Sequence, residues 1–167
     1  MHQKDLLLPW KNIIDNITLP LIINGKSKKE ARAQVLSYFE TFGLVGFEYK
    51  YLFQLSGGMK QRAALLRTYM SSSDIMLLDE PFGALDAITR TKMHYWLLEV
   101  SKEIKATIIF ITHDIEEVFL SDRIYVLSDK PAIIKKEIFV DLPKSRTADI
   151  VTSVKFNEIK RNILQIL

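Results

Sequence analysis

Apolar and polar positions along this chain follow two periods, and each change of period marks an element. From Ser27 to Phe42 apolar residues recur at helical spacing at Ala31, Val35, Leu36 and Phe39. Ser27 is a suitable N-cap with Glu30 three residues on, and Gly43 supplies the stop. A second helix is predicted from Ser56 to about Met70, with Ala63, Leu66 and Met70 on one face. Ile75 to Leu78 is an apolar run too short for a helix, bounded by Asp74 and Asp79, and reads as a strand buried on both faces. Helical spacing returns from Ala87 to Ile104 through Met93, Trp96, Leu97 and Val100. Thr107–Ile111 is a second buried strand, Ile115–Leu120 a short helix and Arg123–Leu127 a third strand. Ile133–Val140 follows as a more exposed strand and Ala148–Leu167 as an amphipathic helix. Strand, helix, strand, helix, strand predicts parallel βαβ units and an α/β fold.

The composition suits a folded domain, or most of one. The chain has 167 residues, 48% hydrophobic and 26% charged, which excludes a disordered or collagen-like protein. It has no cysteine, so disulfides, thiolate metal sites and cysteine nucleophiles are excluded. Its longest apolar stretches, such as Ile17–Ile23, fall far short of the roughly 18 residues of a membrane span. A soluble or peripheral protein is expected. The net charge of +3 is concentrated after Lys130. No dense basic run appears there, so a solvated helix face is expected rather than a nucleic-acid partner.

Chemistry concentrates at two predicted strand ends, where the working groups of parallel sheets gather. The first reads Leu77-Leu78-Asp79-Glu80-Pro81. Two carboxylates after an apolar strand suit a magnesium–water ligand followed by a group that polarises an attacking water; they also suit a solvated turn. The second reads Ile111-Thr112-His113-Asp114. His113 is placed either to donate toward a terminal phosphate or to cap the next helix beside Asp114. The turn Leu55-Ser56-Gly57-Gly58-Met59 adds to these: two glycines permit close backbone approach to an anion, and a helix N-terminus follows.

Taken in order, these residues resemble the ATP-binding subunits of ABC transporters. Leu55–Met59 is similar to the signature motif, with Met in place of the usual final Gln. Asp79-Glu80 is similar to Walker B, Ala84-Leu85-Asp86 to the D-loop, and His113 to the switch histidine. Gln3, with Leu7-Leu8-Pro9-Trp10 and Asp15-Asn16, resembles the Q-loop and the segment that docks on a transporter. Pro81–Ala87 and Ser121–Leu127 are most similar to importers of the nitrate, sulfonate and taurine type.

The resemblance implies a P-loop NTPase-like fold: a helical subdomain over about 11–72, a catalytic core sheet over about 73–140 and a helical tail over 141–167. It implies ATP and Mg²⁺ as cofactors, with Glu80 and His113 catalytic and Asp79 and Gln3 on the metal. Gln3, Ser56, Gly57, Gly58 and Asp86 would contact nucleotide, the signature residues reaching the γ-phosphate held by a partner. The implied partners are a second ATPase subunit in a head-to-tail dimer, transmembrane permease subunits and, indirectly, a solute-binding protein. The implied place is the cytoplasmic face of the membrane.

One family element is missing: no phosphate loop of the form GxxxxGK[ST] occurs. Gly25-Lys26-Ser27 copies its end, but Pro20 stands where the first glycine belongs and no strand leads in. The expectation is a partial cassette without its first strands, inactive alone and carrying an exposed sheet edge. Two other readings remain at this point. One is a non-catalytic module that lends its signature face to a complete partner. The other is a soluble ABC-type ATPase of DNA repair or translation, which the absence of long coiled-coil insertions disfavours.

Overall fold

The computed structural model describes residues 1, 5–71, 74–104, 106–143 and 146–167. They divide into two compact units, Met1–Ile111 and Thr112–Leu167.

The first unit begins with short helices α1 (Ile13–Ile17) and α2 (Leu19–Ile23), followed by α3 (Lys28–Leu36). Ser27 caps α3 as predicted. Its hydroxyl accepts from the Glu30 N–H, while the Glu30 carboxylate accepts from the Ser27 N–H. Gly25-Lys26-Ser27 is therefore the entrance to a helix, stapled by Lys26 donating to Gln34 at 2.5 Å. α3 stops at Leu36, earlier than the apolar spacing suggests, and the chain turns through Phe39 and Phe42, both buried. Gly43 closes these turns at φ +63°. A Cβ there would stand 2.6 Å from the Arg62 guanidinium, which lies over the Trp96 ring at 4.9 Å.

The long helix α4 (Gly57–Ser71) packs on α1 and α2 and buries Ala63, Leu66 and Met70 as the pattern predicts. Phe42 joins it to the next layer, stacked on Tyr69 at 6.3 Å and edge-on to Trp96 at 5.7 Å. Strand β1 (Ile75–Asp79) pairs in parallel with β2 (Thr107–Ile111), connected by α5 (Ala87–Glu103). Met76 and Leu78 lie in the core, as does Phe82, whose ring sits 5.5 Å from His94 of α5 and 6.0 Å from Phe110 of β2.

The sheet departs from expectation on its other face. Ile75, Leu77, Ile109 and Ile111 share that face in register and are 50–59% exposed. An unbroken apolar run permits burial on both sides. Realising it requires a second layer, and among the described residues of the first unit no element supplies one.

The second unit departs as well. Strand β3 (Arg123–Leu127) does not extend the parallel sheet. It pairs antiparallel with β4 (Ile134–Phe139), with a register shift at Val126/Leu127. β4 is exposed, as predicted. Helix α6 (Val154–Ile166) is capped by Ser153 and buries Phe156 and Ile163. Arg146 is buried in the same unit, donating to the carbonyls of Phe119 and Ser121 at 2.7 and 2.9 Å and to the Asp122 carboxylate at 2.9 Å.

Candidate functional site

Helix α4 begins at the glycine pair. Leu55 is buried, Ser56 and Gly57 are exposed, and Gly58 is buried. The Ser56 hydroxyl accepts from the Met59 N–H at 3.4 Å and the Ser56 carbonyl from the Lys60 N–H at 3.0 Å, which sets the first turn. The glycines also answer to packing. A Cβ on Gly57 would lie 3.1 Å from Leu85 Cδ2; one on Gly58 would meet Thr89 Cγ2 at 3.4 Å and Met93 Sδ at 3.5 Å. The sequence signals an anion turn here, while the contact between this turn and the segment 85–93 exists only in three dimensions.

That segment is itself tightly fixed. The Leu85 N–H donates to the Phe82 carbonyl at 3.0 Å, and Arg90 donates to the Leu85 carbonyl at 3.0 Å. The exposed Asp86 caps α5 by accepting from the Thr89 N–H at 3.0 Å. Hydrogen bonds from Thr89, side chain and then backbone, hold the Asp86 carboxyl below its ordinary range. It is thereby held ionised at the N-terminus of α5.

Asp79 is the exposed last residue of β1, opposite Ile111 in register. Its N–H donates to the Met1 carbonyl at 3.0 Å, and the Met1 amine reaches the Leu77 carbonyl. Glu80 leaves the pleat rather than continuing it. It adopts φ +43°, which for a residue with a Cβ costs about 1–2 kcal/mol. Two bonds hold it there: its N–H donates to the Ile111 carbonyl at 2.9 Å, and its carbonyl accepts from the Gly83 N–H at 3.1 Å. Strain of this kind in a carboxylate at a sheet's C-terminal edge fits a working group.

His113 lies in the second unit and is exposed. The capping role beside it belongs to Asp114, whose carboxylate accepts from the Glu116 N–H at 2.9 Å. Gln3 lies outside the described residues. Ser56, Gly57, Gly58, Asp79, Glu80 and Asp86 all belong to the first unit, and the signature turn meets the 85–93 segment directly.

No group of three or more His, Asp or Glu side chains among the described residues is arranged to hold a metal ion. A lone Asp79 suits a hard cation that brings its other oxygens with it, as Mg²⁺ does on a polyphosphate with its waters.

Asn16 matters in a way the sequence did not signal. It is fully buried, and its amide bonds to Leu8 N–H at 2.7 Å and to the carbonyls of Leu8, Lys11 and Asn12 at 3.0–3.1 Å. It thereby pins the Leu8–Asn12 loop that displays Trp10, 71% exposed. Asp15, its neighbour, pairs with Arg32 at 2.8 Å. No helix among the described residues is long and apolar enough to cross a membrane.

A family model described as ABC transporter matches residues 1–83. Over 132 residues the chain is 52% identical to the formylaminopyrimidine import ATP-binding protein ThiZ of Halalkalibacterium halodurans, covering 78% of this chain and 53% of that one. It is 38% identical to the nitrate import ATP-binding protein NrtD of Synechocystis, covering 100% of this chain and 65% of the relative. Among solved structures, a dimeric post-hydrolysis state of the ATP-binding cassette MJ0796 bound to ADP and Pi superposes with a TM-score of 0.63. It is 30% identical, over 82% of this chain and 60% of that one. The chain thus spans between half and two thirds of the relatives it matches.

Proposed function

This chain belongs to the ABC transporter ATP-binding family, and we propose that it acts within an importer as the subunit that binds and hydrolyses ATP. The solute class we propose is a small anion such as nitrate, a sulfonate or taurine. The ThiZ relative adds a formylaminopyrimidine to the chemistries that such subunits serve. The solute itself is chosen by the permease and the solute-binding protein.

In this reading Ser56, Gly57 and Gly58 present the α4 N-terminus to the γ-phosphate of a nucleotide held by a second subunit, head to tail. Asp79 meets the Mg²⁺ carried by ATP through water, Glu80 polarises the attacking water, and His113 donates toward the γ-phosphate. Asp86 bridges the dimer, and Gln3 couples nucleotide state to the permease. The protein works peripherally, at the cytoplasmic face of the membrane. The 167 residues hold no GxxxxGK[ST] loop, and turnover requires one.

The observation that carries this reading is Glu80, strained at φ +43° and tied to Ile111 where both parallel strands end. The test is Glu80→Gln in a protein that includes a phosphate loop. Turnover should fall at least a hundredfold while ATP still drives dimerisation. Loss of dimerisation together with turnover would show that Glu80 has a different role.

A further inference from the structure

We propose that Leu85 is a positioning residue for the first turn of α4, and that through it the turn carrying Glu80 and Asp86 sets where Ser56, Gly57 and Gly58 point their N–H groups. The proposal rests on the reading of Ser56–Gly58 as a phosphate contact made in a partner's site.

The steric record places Leu85 there. Gly57 is exposed on its outer side, yet a methyl group on it would come within 3.1 Å of Leu85 Cδ2. No positive φ demands glycine at this position, since only Gly25, Gly43 and Gly46 have one. Room against Leu85 is therefore one reason for a glycine. A Cβ on Gly58, one residue on, would meet Thr89 and Met93 at van der Waals distance, so the first turn of α4 lies close against the chain from Leu85 into the second turn of α5.

Leu85 cannot retreat freely. Its N–H is bonded to the Phe82 carbonyl, its carbonyl accepts from Arg90, and Phe82 is fully buried between His94 and Phe110. The same turn begins at Glu80, whose carbonyl accepts from Gly83, and ends at Asp86, the cap of α5. A rearrangement at Glu80 when its own nucleotide reacts is thus carried through Leu85 to the α4 terminus, which faces the other nucleotide. In a head-to-tail dimer this contact links the two sites through a single chain.

The test is a double-substitution cycle of Gly57→Ala and Leu85→Ala in the full-length protein. The added Cβ overfills the contact, and the truncated Leu85 leaves a gap. Each single change should lower kcat about fivefold. The double variant should lose less than the product of the two single losses, because the new methyl occupies the vacated space. ATP binding by the monomer should stay unchanged, and Leu85→Met should retain activity.

Additive losses in the cycle would overturn the proposal, as would losses that merely track a lowered Tm. Amide hydrogen exchange at Met59 and Lys60 reads the same cycle without turnover. Non-additive protection there in a protein that hydrolyses no ATP would sink the functional reading and uphold the positioning contact. Additive protection would sink the positioning contact whatever the activity.

Discussion

The Glu80 N–H donates to the Ile111 carbonyl at 2.9 Å, locking the residue that follows β1 to the last residue of β2. This bond continues the parallel ladder by one rung, while Glu80 itself takes left-handed backbone at φ +43°. A carboxylate is thus kept at the cost of local strain, and the consequence is measurable.

Glu80→Gly should raise stability by about 0.5–1 kcal/mol, the relief of left-handed strain less the entropy of a glycine. In thermal unfolding that is a gain of about 2 °C for a chain of this size. Glu80→Gln keeps the Cβ and with it the left-handed strain, so it should not share the gain in Tm. Both should abolish hydrolysis, so stability and activity should move apart in the glycine variant.

Asn16→Ala removes a buried amide that makes four bonds to the Leu8–Asn12 loop. A loss of about 2–3 kcal/mol is expected from the backbone groups left unpaired. Tryptic cleavage at Lys11 should accelerate, and Trp10 fluorescence should report a loosened loop. Unchanged cleavage would mean that Pro9 and the α1 cap hold the loop without Asn16.

Asp15 should contribute to acid sensitivity. Partial burial alone would raise its pKa. The hydrogen bond and charge of Arg32, with Lys28 and Lys11, outweigh burial and hold it below the ordinary carboxylate value. A depressed pKa gives stability that is fully present above the unfolded value and lost as pH falls through the folded one. Asp15→Asn should therefore cost up to about 1 kcal/mol at neutral pH. Denaturant melts of variant and wild type should converge at low pH.

Arg146→Met should open the second unit selectively. The buried guanidinium satisfies the carbonyls of Phe119 and Ser121, which a thioether cannot do. About 2–4 kcal/mol of destabilisation is expected. Hydrogen exchange should show it in β3, β4 and α6 before it reaches α4 or β1.

Much of this chain was legible without coordinates because its signals are local. Ser27 and Glu30 announce a capping box three residues apart, and that box formed. Helical spacing placed α4 and α5 within one or two residues, and short apolar runs bounded by Asp74 and Asp79 or by Thr112 placed β1 and β2. The order of Ser56-Gly57-Gly58, Asp79-Glu80, Leu85-Asp86 and His113 pointed to the family. The early end of α3 was not legible, because Phe39 and Phe42 keep helical spacing while packing from turns.

What the sequence alone determined, then, is where the longer helices and most strands lie and which motifs point to a site; the short helices α1 and α2 escaped it. Caps, periodicity and motif spacing act within a few residues of one another. Tertiary structure decided the pairings. β3 joined β4 rather than the parallel sheet because an apolar strand names no partner, and the hydrogen bonds of a ladder are satisfied by whichever edge the chain brings alongside. Tertiary structure also left one face of β1 and β2 uncovered, turned Glu80 out of its strand and set Gly57 against Leu85. Each of these depends on contacts between residues far apart in the chain, where the order of amino acids by itself sets no distance.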